Sequence, residues 1–371
     1  MRGPIVQPIV IAAGGTGGHF FPAEALAAAL IARGRRIALM TDARSGGLNS
    51  TVFAGRETYT LSGAGIAGRG TVKAARAGIL LAAGVFQARG ILGRIGAAAV
   101  VGFGGYPTVA PVLAAKLMKH RPALILHEQN AVLGRANRFL SPRADMLALS
   151  FEHTGRVPET ATTQFTGNPV RPAIAALANQ PYPPAGADLH LLVLGGSLGA
   201  RVFSDIVPAA VTALPEALRG RIRVTQQCRA EDIDRVRAAY LAAGIRAELS
   251  SFFPDIAQRL GSAHLVIARA GASTIAELAV VGRPSILVPL PSAIDDHQTT
   301  NARALAAAGA AWPMPQPEFT PAALTAQLAR LLADPAGLAA AAAAARTQAR
   351  ADAADRLATL VEQLMHQERV A

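Results

Sequence analysis

The chain has 371 residues, 51% of them apolar and 16% charged. That length exceeds what one hydrophobic core ordinarily organises, and the composition excludes a disordered polymer, so two globular domains are expected. A single cysteine, Cys228, excludes an internal disulfide and a multi-thiolate metal site and points to a reducing compartment.

The formal net charge of +12 is unevenly placed. Residues 1–172 hold 19 Lys and Arg against 7 Asp and Glu, whereas residues 173–371 hold 17 of each. From 58 to 127 there is no acid, while Arg69, Lys73, Arg76, Arg89, Arg94, Lys116, Lys119 and Arg121 are basic. Such a field favours a polyanionic partner.

In chain order, apolar runs at 5–13, 36–41, 97–102, 123–127 and 146–149 predict strands in the first half. Runs at 189–194, 222–226, 264–268 and 285–289 do so in the second. Each leads through a turn into Ala/Leu-rich helical sequence, the pattern of parallel strands covered by helices. Two apolar stretches imitate membrane segments, Ile5–Phe21 and Ile95–Ala115, but glycines break the first and Gly102, Gly104, Gly105, Pro107 and Pro111 break the second. Lys73–Arg94 reads as a basic amphipathic helix, suited to anionic lipid or equally to packing on a core. With one aromatic residue and no recognition module, it does not point to nucleic acid. Pro169, Pro172, Pro181, Pro183 and Pro184 mark a linker. The fold class expected is therefore α/β, two doubly wound, Rossmann-like domains facing across a cleft. Residues 1–172 form the first, completed by a C-terminal helix at about 350–371, and residues 173–349 the second. The Ala-rich stretch 335–365 is expected to close the second domain or to cross back to the first.

Gly14-Gly15-Thr16-Gly17-Gly18-His19 turns from a strand into a helix, and 181 positions later Gly195-Gly196-Ser197-Leu198-Gly199-Ala200 does the same. Helix N-termini present unpaired N–H groups and a positive dipole end, which hold phosphate; glycine lets the backbone approach, though a tight βα turn needs glycine too. Asp42 closing the next strand keeps a nicotinamide-cofactor loop in contention, but Phe20 stands where the third glycine of that fingerprint belongs. His19 has Ala200 as its counterpart, so only one copy carries a titratable group. An imidazole at a helix N-terminus is favoured in its neutral, proton-accepting form; a capping histidine is the bland alternative. Arg269-Ala270-Gly271-Ala272-Ser273-Thr274 is a third strand-to-helix turn, and Glu277 suits either a capping box with Thr274 or a ribose contact. Two polar clusters follow strands: His127-Glu128-Gln129-Asn130 and Asp295-Asp296-His297-Gln298-Thr299-Thr300-Asn301. The second offers hydrogen bonds to a sugar or a solvated turn. The D-x-D at Asp232-Ile233-Asp234 lies in helical sequence and reads as a solvent-facing helix, and no metal site is indicated.

Seven motifs together resemble the MurG family of peptidoglycan glycosyltransferases, which have the GT-B fold. They are GGTGGHFFP at 14–22, GFGGYPT at 102–108, HEQNAVLGRAN at 127–137, GNPVR at 167–171, GGSLGAR at 195–201, RAGASTIAE at 269–277 and DDHQTTNA at 295–302. The resemblance implies inverting transfer of N-acetylglucosamine from UDP-N-acetylglucosamine to the C4 hydroxyl of the muramyl residue in undecaprenyl-pyrophosphoryl-MurNAc-pentapeptide, with no cofactor or metal. It places Ser197 and the turn Ala272, Ser273, Thr274 on the diphosphate, Glu277 on the ribose, Phe253 on the uracil and Arg171 at the hinge. Gln298 holds the sugar, Asn130 reaches across from the first domain, and Asn301 is counted with the substrate-binding residues. Thr16, Gly17, Gly18, Gly104, Gly105 and Tyr106 form the acceptor side. His19 is the first choice of base and Glu128 the second. Leu198 stands where relatives commonly have glutamine, and Phe253 where they have an aliphatic residue. The resemblance also implies a peripheral enzyme on the cytoplasmic face of the inner membrane, resting on anionic phospholipid in the company of other cell-wall synthesis proteins. The rival readings are a sugar-nucleotide 2-epimerase on the same fold and a non-catalytic nucleotide or lipid binder.

Overall fold

The computed structural model describes residues 7–14, 17–42, 50–62, 71–184, 186–196 and 199–370, and the side chains of all of these except 71–75 and 367–370. Its contacts divide the chain into Met1–Arg171 with Asp352–Ala371, and Pro172–Ala351.

The first unit runs β1 (Ile9–Ala12), α1 (Gly17–Ala32), β2 (Ile37–Thr41), β3 (Glu57–Thr60), α2 (Thr71–Ile95), β4 (Ala99–Gly102) and α3 (Val109–Lys116). It continues with β5 (Ala123–Glu128), α4 (Arg135–Leu140), β6 (Met146–Leu149) and β7 (Thr163–Phe165). Among the described residues these strands make one seven-stranded parallel sheet, in the order β3-β2-β1-β4-β5-β6-β7. The unbroken apolar character of β1 follows from burial on both faces. Ile9 and Ile11 pack with Phe20, Leu26 and Leu30 of α1, while Val10 packs with Leu92, Val100 and Leu124 on the other side.

The second unit runs α5 (Pro172–Ala175), β8 (Leu189–Leu194), α6 (Arg201–Thr212), α7 (Glu216–Arg219), β9 (Ile222–Gln227), α8 (Ile233–Ala242), β10 (Arg246–Ser250) and α9 (Ile256–Ser262). Then come β11 (Leu265–Ala268), α10 (Ala272–Val281), β12 (Ser285–Leu287), α11 (His297–Ala307), β13 (Ala311–Pro313), α12 (Pro321–Leu332) and α13 (Pro335–Thr347). Its described strands form a six-stranded parallel sheet, β10-β9-β8-β11-β12-β13. In both sheets the first strand of the unit sits centrally and the order reverses beside it, so the loops after β1 and β4, and after β8 and β11, flank a topological switch point.

The Ala-rich stretch is two helices rather than one. α13 packs on α10 of the second unit, whereas α14 (Ala353–Val370) packs on α1, β4 and β5 of the first. Leu357, Leu360 and Val361 enter the core beneath β1, and Arg33 and Arg35 of the α1 end bind Glu362 at 3.0 and 2.6 Å.

The basic amphipathic segment is the helix α2, of which Arg76–Ile95 is long and apolar enough to cross a membrane by length and composition alone. It lies on α3 instead, with Ala88, Ile91 and Leu92 in the core. Asp232 departs from expectation: it is buried beside Arg235 at 2.9 Å, and only Asp234 of that pair faces solvent.

Candidate active site

In the first unit, three chain segments converge at the carboxyl ends of β1, β4 and β5. α1 begins at Gly17 and carries His19 in its first turn. Thr16 lies outside the described residues. After β4, Gly104 and Gly105 adopt φ of +81° and +68°, a region closed to most side chains, and a 3₁₀ turn at Tyr106–Thr108 follows. Thr108 Oγ1 donates within this loop to the carbonyls of Gly104 and Ala12, at 2.9 and 3.2 Å, tying it to the end of β1. The imidazole of His19 rests on the two glycines, since a Cβ on Gly104 would lie 3.6 Å from its Cε1 and one on Gly105 3.5 Å from its Nε2. Arg171, at the end of the unit, stands with its guanidinium 5.0 Å from the ring of Phe21, two residues beyond His19.

The polar run that ends β5 is interior: His127, Glu128 and Gln129 are each 2% exposed or less. Both oxygens of Glu128 are occupied. Oε1 accepts from Asn130 N and Nδ2 at 2.9 and 3.0 Å, and Oε2 from Gly134 N and Asn137 Nδ2, both at 2.9 Å. The second candidate for the base is thus engaged by its own loop. A buried carboxylate spent on four donors braces the 128–137 loop and the Asn130 side chain. His19 remains, half-exposed, with Nδ1 2.9 Å from Gln129 Oε1. His127 lies behind Gln129, and burial pushes its imidazole down to about 4, so it is neutral at physiological pH.

In the second unit the turns after β8, β11 and β12 carry the expected donor residues. Ser197 and Leu198 lie outside the described residues. Around them Gln227 braces the glycine loop, accepting from Gly195 N at 3.0 Å and donating to Gly196 O at 3.0 Å. The helix α10 has Gly271 as its N-cap, so Ala272, Ser273 and Thr274 are its first three residues, whose N–H groups point out of the helix end. Thr274 is therefore inside the helix and forms no capping box with Glu277, which is 8% exposed on the same helix. Gln298 joins two of the turns: its Oε1 accepts from Ala270 N at 3.2 Å and Leu290 N at 3.0 Å. Its Nε2 has no partner among the described residues, leaving two donors for a ligand.

Two further residues expected at the site are buried. Asn301 is fully buried and donates through Nδ2 to Ala270 O at 3.1 Å, so it supports the 269–274 turn from behind. Phe253 is 6% exposed, and the Arg259 guanidinium already covers its ring at 4.2 Å, held there by Glu248 and Asp255. Its flat face is not offered to a base; the exposed ring at this corner is Phe252. The sequence signal for Gln129, missed as a site residue, was its place in the same polar run.

Two parallel-sheet units of this design, each with its first strand central and turns leading into helices at the switch point, have the architecture of the GT-B fold. Residues 9–149 match the model of the glycosyltransferase family 28 N-terminal domain and residues 190–357 that of the family 28 C-terminal domain. The chain is 62% identical to the UDP-N-acetylglucosamine–N-acetylmuramyl-(pentapeptide) pyrophosphoryl-undecaprenol N-acetylglucosamine transferase of Granulibacter bethesdensis, over 96% of this chain and 94% of that one. It is 55% identical to the enzyme of the same name from Acidiphilium cryptum, over 97% and 98% of the two chains. Among solved structures, that of Acinetobacter baumannii MurG aligns with a TM-score of 0.77 at 29% identity, covering 96% of this chain and 99% of its own. The chain belongs to this MurG family of peptidoglycan glycosyltransferases.

Proposed function

We propose that the chain moves N-acetylglucosamine from UDP-N-acetylglucosamine to the C4 hydroxyl of the muramyl residue in undecaprenyl-pyrophosphoryl-MurNAc-pentapeptide, inverting the anomeric carbon. The observation that carries the reading is the 62% identity with a transferase of that activity across 96% of the chain. The site supplies the chemistry. His19 Nε2 takes the proton as the C4 oxygen bonds to the anomeric carbon, and the bond from that carbon to the diphosphate breaks with its electrons leaving on UDP. The N–H groups at the start of α10 receive the growing phosphate charge without a metal being required. Gln298 donates to the sugar from the nitrogen it leaves unused, and Glu277 accepts from the ribose.

We place the acceptor's lipid beside α2. Ile79 and Phe86 on that helix and Leu117 after α3 are 71%, 72% and 60% exposed, among exposed Arg76, Arg89, Lys116 and Lys119. Apolar side chains ringed by cations suit an anionic leaflet, and this supports a peripheral seat on the cytoplasmic face of the inner membrane.

The test is to incubate the purified protein with labelled UDP-N-acetylglucosamine and lipid-linked muramyl-pentapeptide. A labelled lipid disaccharide is expected; sugar-nucleotide turnover without the lipid favours an epimerase instead. His19→Ala should lower turnover by about 10² to 10⁴ while leaving donor KM unchanged. A variant as fast as the parent removes His19 from the mechanism.

A further inference from the structure

The hydrogen bonds behind His19 have a direction that the backbone dictates. Gln129 Nε2 lies 3.0 Å from the carbonyl oxygen of Phe103 and 3.1 Å from that of His127. Carbonyls only accept, so the amide nitrogen must occupy this position; a flipped amide would set its oxygen against two others. Gln129 Oε1 therefore faces His19 Nδ1, 2.9 Å away, and can only accept there. His127 agrees with this arrangement. Its Nε2 is 3.0 Å from the carbonyl of Gly167 and must donate, which leaves its Nδ1 as a lone pair 3.0 Å from Gln129 Nε2.

We infer that Gln129 is a positioning residue that fixes His19 in the Nδ1–H tautomer, so that the ring's basic lone pair is always on Nε2, the nitrogen lying over Gly105. The inference rests on His19 being the base and adds how its proton-accepting nitrogen is chosen. A free imidazole divides its proton between two nitrogens, and only one of these tautomers can take the acceptor's proton from the Nε2 side. The relay Gly167 O, His127, Gln129, His19 removes that ambiguity with neutral groups. No carboxylate stands at Nδ1, so the ring is aligned without a counter-charge for its protonated form. Gln129 is 2% exposed, and its bonds to the carbonyls of Phe103 and His127, at the ends of β4 and β5, hold the amide in place. The positive-φ glycines beneath His19 keep the opposite ring edge clear.

The test uses the full-length protein with ¹⁵N-labelled histidine at neutral pH, His19 being assigned by the resonance lost in His19→Gln. The expected spectrum shows a protonated Nδ1 and an unprotonated Nε2. Gln129→Met should let the proton spread to Nε2 and lower kcat by about tenfold or more, with donor KM unchanged. A proton on Nε2 of His19 in the parent overturns the inference, as does an unaltered kcat in Gln129→Met. Should that variant not fold, the parent spectrum decides alone. The two readings separate cleanly: full activity in His19→Ala defeats the base assignment, whereas the spectrum reports the tautomer whatever the rate.

Discussion

Glu128 shows what residue type alone leaves out. A carboxylate at the end of a strand, next to a histidine, has the chemistry of a base, but spacing carries no information on burial or on which donors the carboxylate already serves. Its four hydrogen bonds make a loop brace, and the burial of Asn301 and Phe253 was equally hidden from the sequence. His19 stood out in the sequence as the one titratable group of its loop, whereas Gln298 was singled out only by the family resemblance. The distinction is measurable. Glu128→Gln turns an acceptor into a donor toward Gly134 and Asn137, and we expect it to cost about 2–4 kcal/mol in denaturant unfolding along with activity. His19→Ala, by contrast, should lose activity at near-parental stability; equal stability of both variants would contradict the brace. His127 makes a second residue-scale prediction. Its imidazole is held at about 4 in the folded protein against an ordinary 6.5, because burial disfavours its charged form. Between those values the unfolded chain binds more protons, so this contribution is complete above about pH 6.5 and fades as the pH falls toward 4. It amounts to about 3 kcal/mol at most. The parent should therefore lose more stability between pH 7 and pH 4.5 than His127→Asn does, as measured by urea midpoints at the two pH values.

At the scale of elements, the nine strands expected from apolar runs all exist, to within a few residues at their ends. The four that escaped are β3, β7, β10 and β13, the outer strands of the two sheets. An outer strand is solvated along one edge and partly on its faces, as the mixed exposure of Glu57–Thr60 and Arg246–Ser250 shows. Its sequence therefore lacks the continuous hydrophobicity by which inner strands are recognised. α2 was recognised as amphipathic, yet its pattern could not say which apolar residues faced the core. Gly84 helps decide this, because a Cβ there would come within 2.4 Å of the Ser62 carbonyl, so that face lies tight against the chain. Ile79 and Phe86 are left outside. Phe86→Glu combined with Ile79→Glu should abolish flotation with vesicles containing anionic phospholipid while leaving donor hydrolysis or binding intact. Unchanged flotation would move the lipid-facing surface elsewhere.

For the whole molecule, the prolines at 169–184 straddle the change of unit at Arg171 and Pro172, which a composition shift alone can signal. Helix propensity alone does not mark the break between α13 and α14, since both halves of that stretch are good helix formers. Only tertiary packing sends α13 to one sheet and α14 to the other. Removing residues 352–371 would strip Leu357, Ala358, Leu360 and Val361 from the first unit's core together with the Glu362 pairs to Arg33 and Arg35. At about 1.5–3 kcal/mol for each large apolar side chain, this is comparable to the stability of a whole domain. We expect the truncated protein to lose hydrogen-exchange protection in β1 and α1 but to keep it in β8 and β11; retained protection in β1 would show α14 to be dispensable. The route of the chain also sets a schedule for biosynthesis. Domains ordinarily fold as units in the order in which they emerge from the ribosome. Here the unit begun first must wait through the whole of residues 172–351 for its final helix, so the second unit can mature before the first has closed its core.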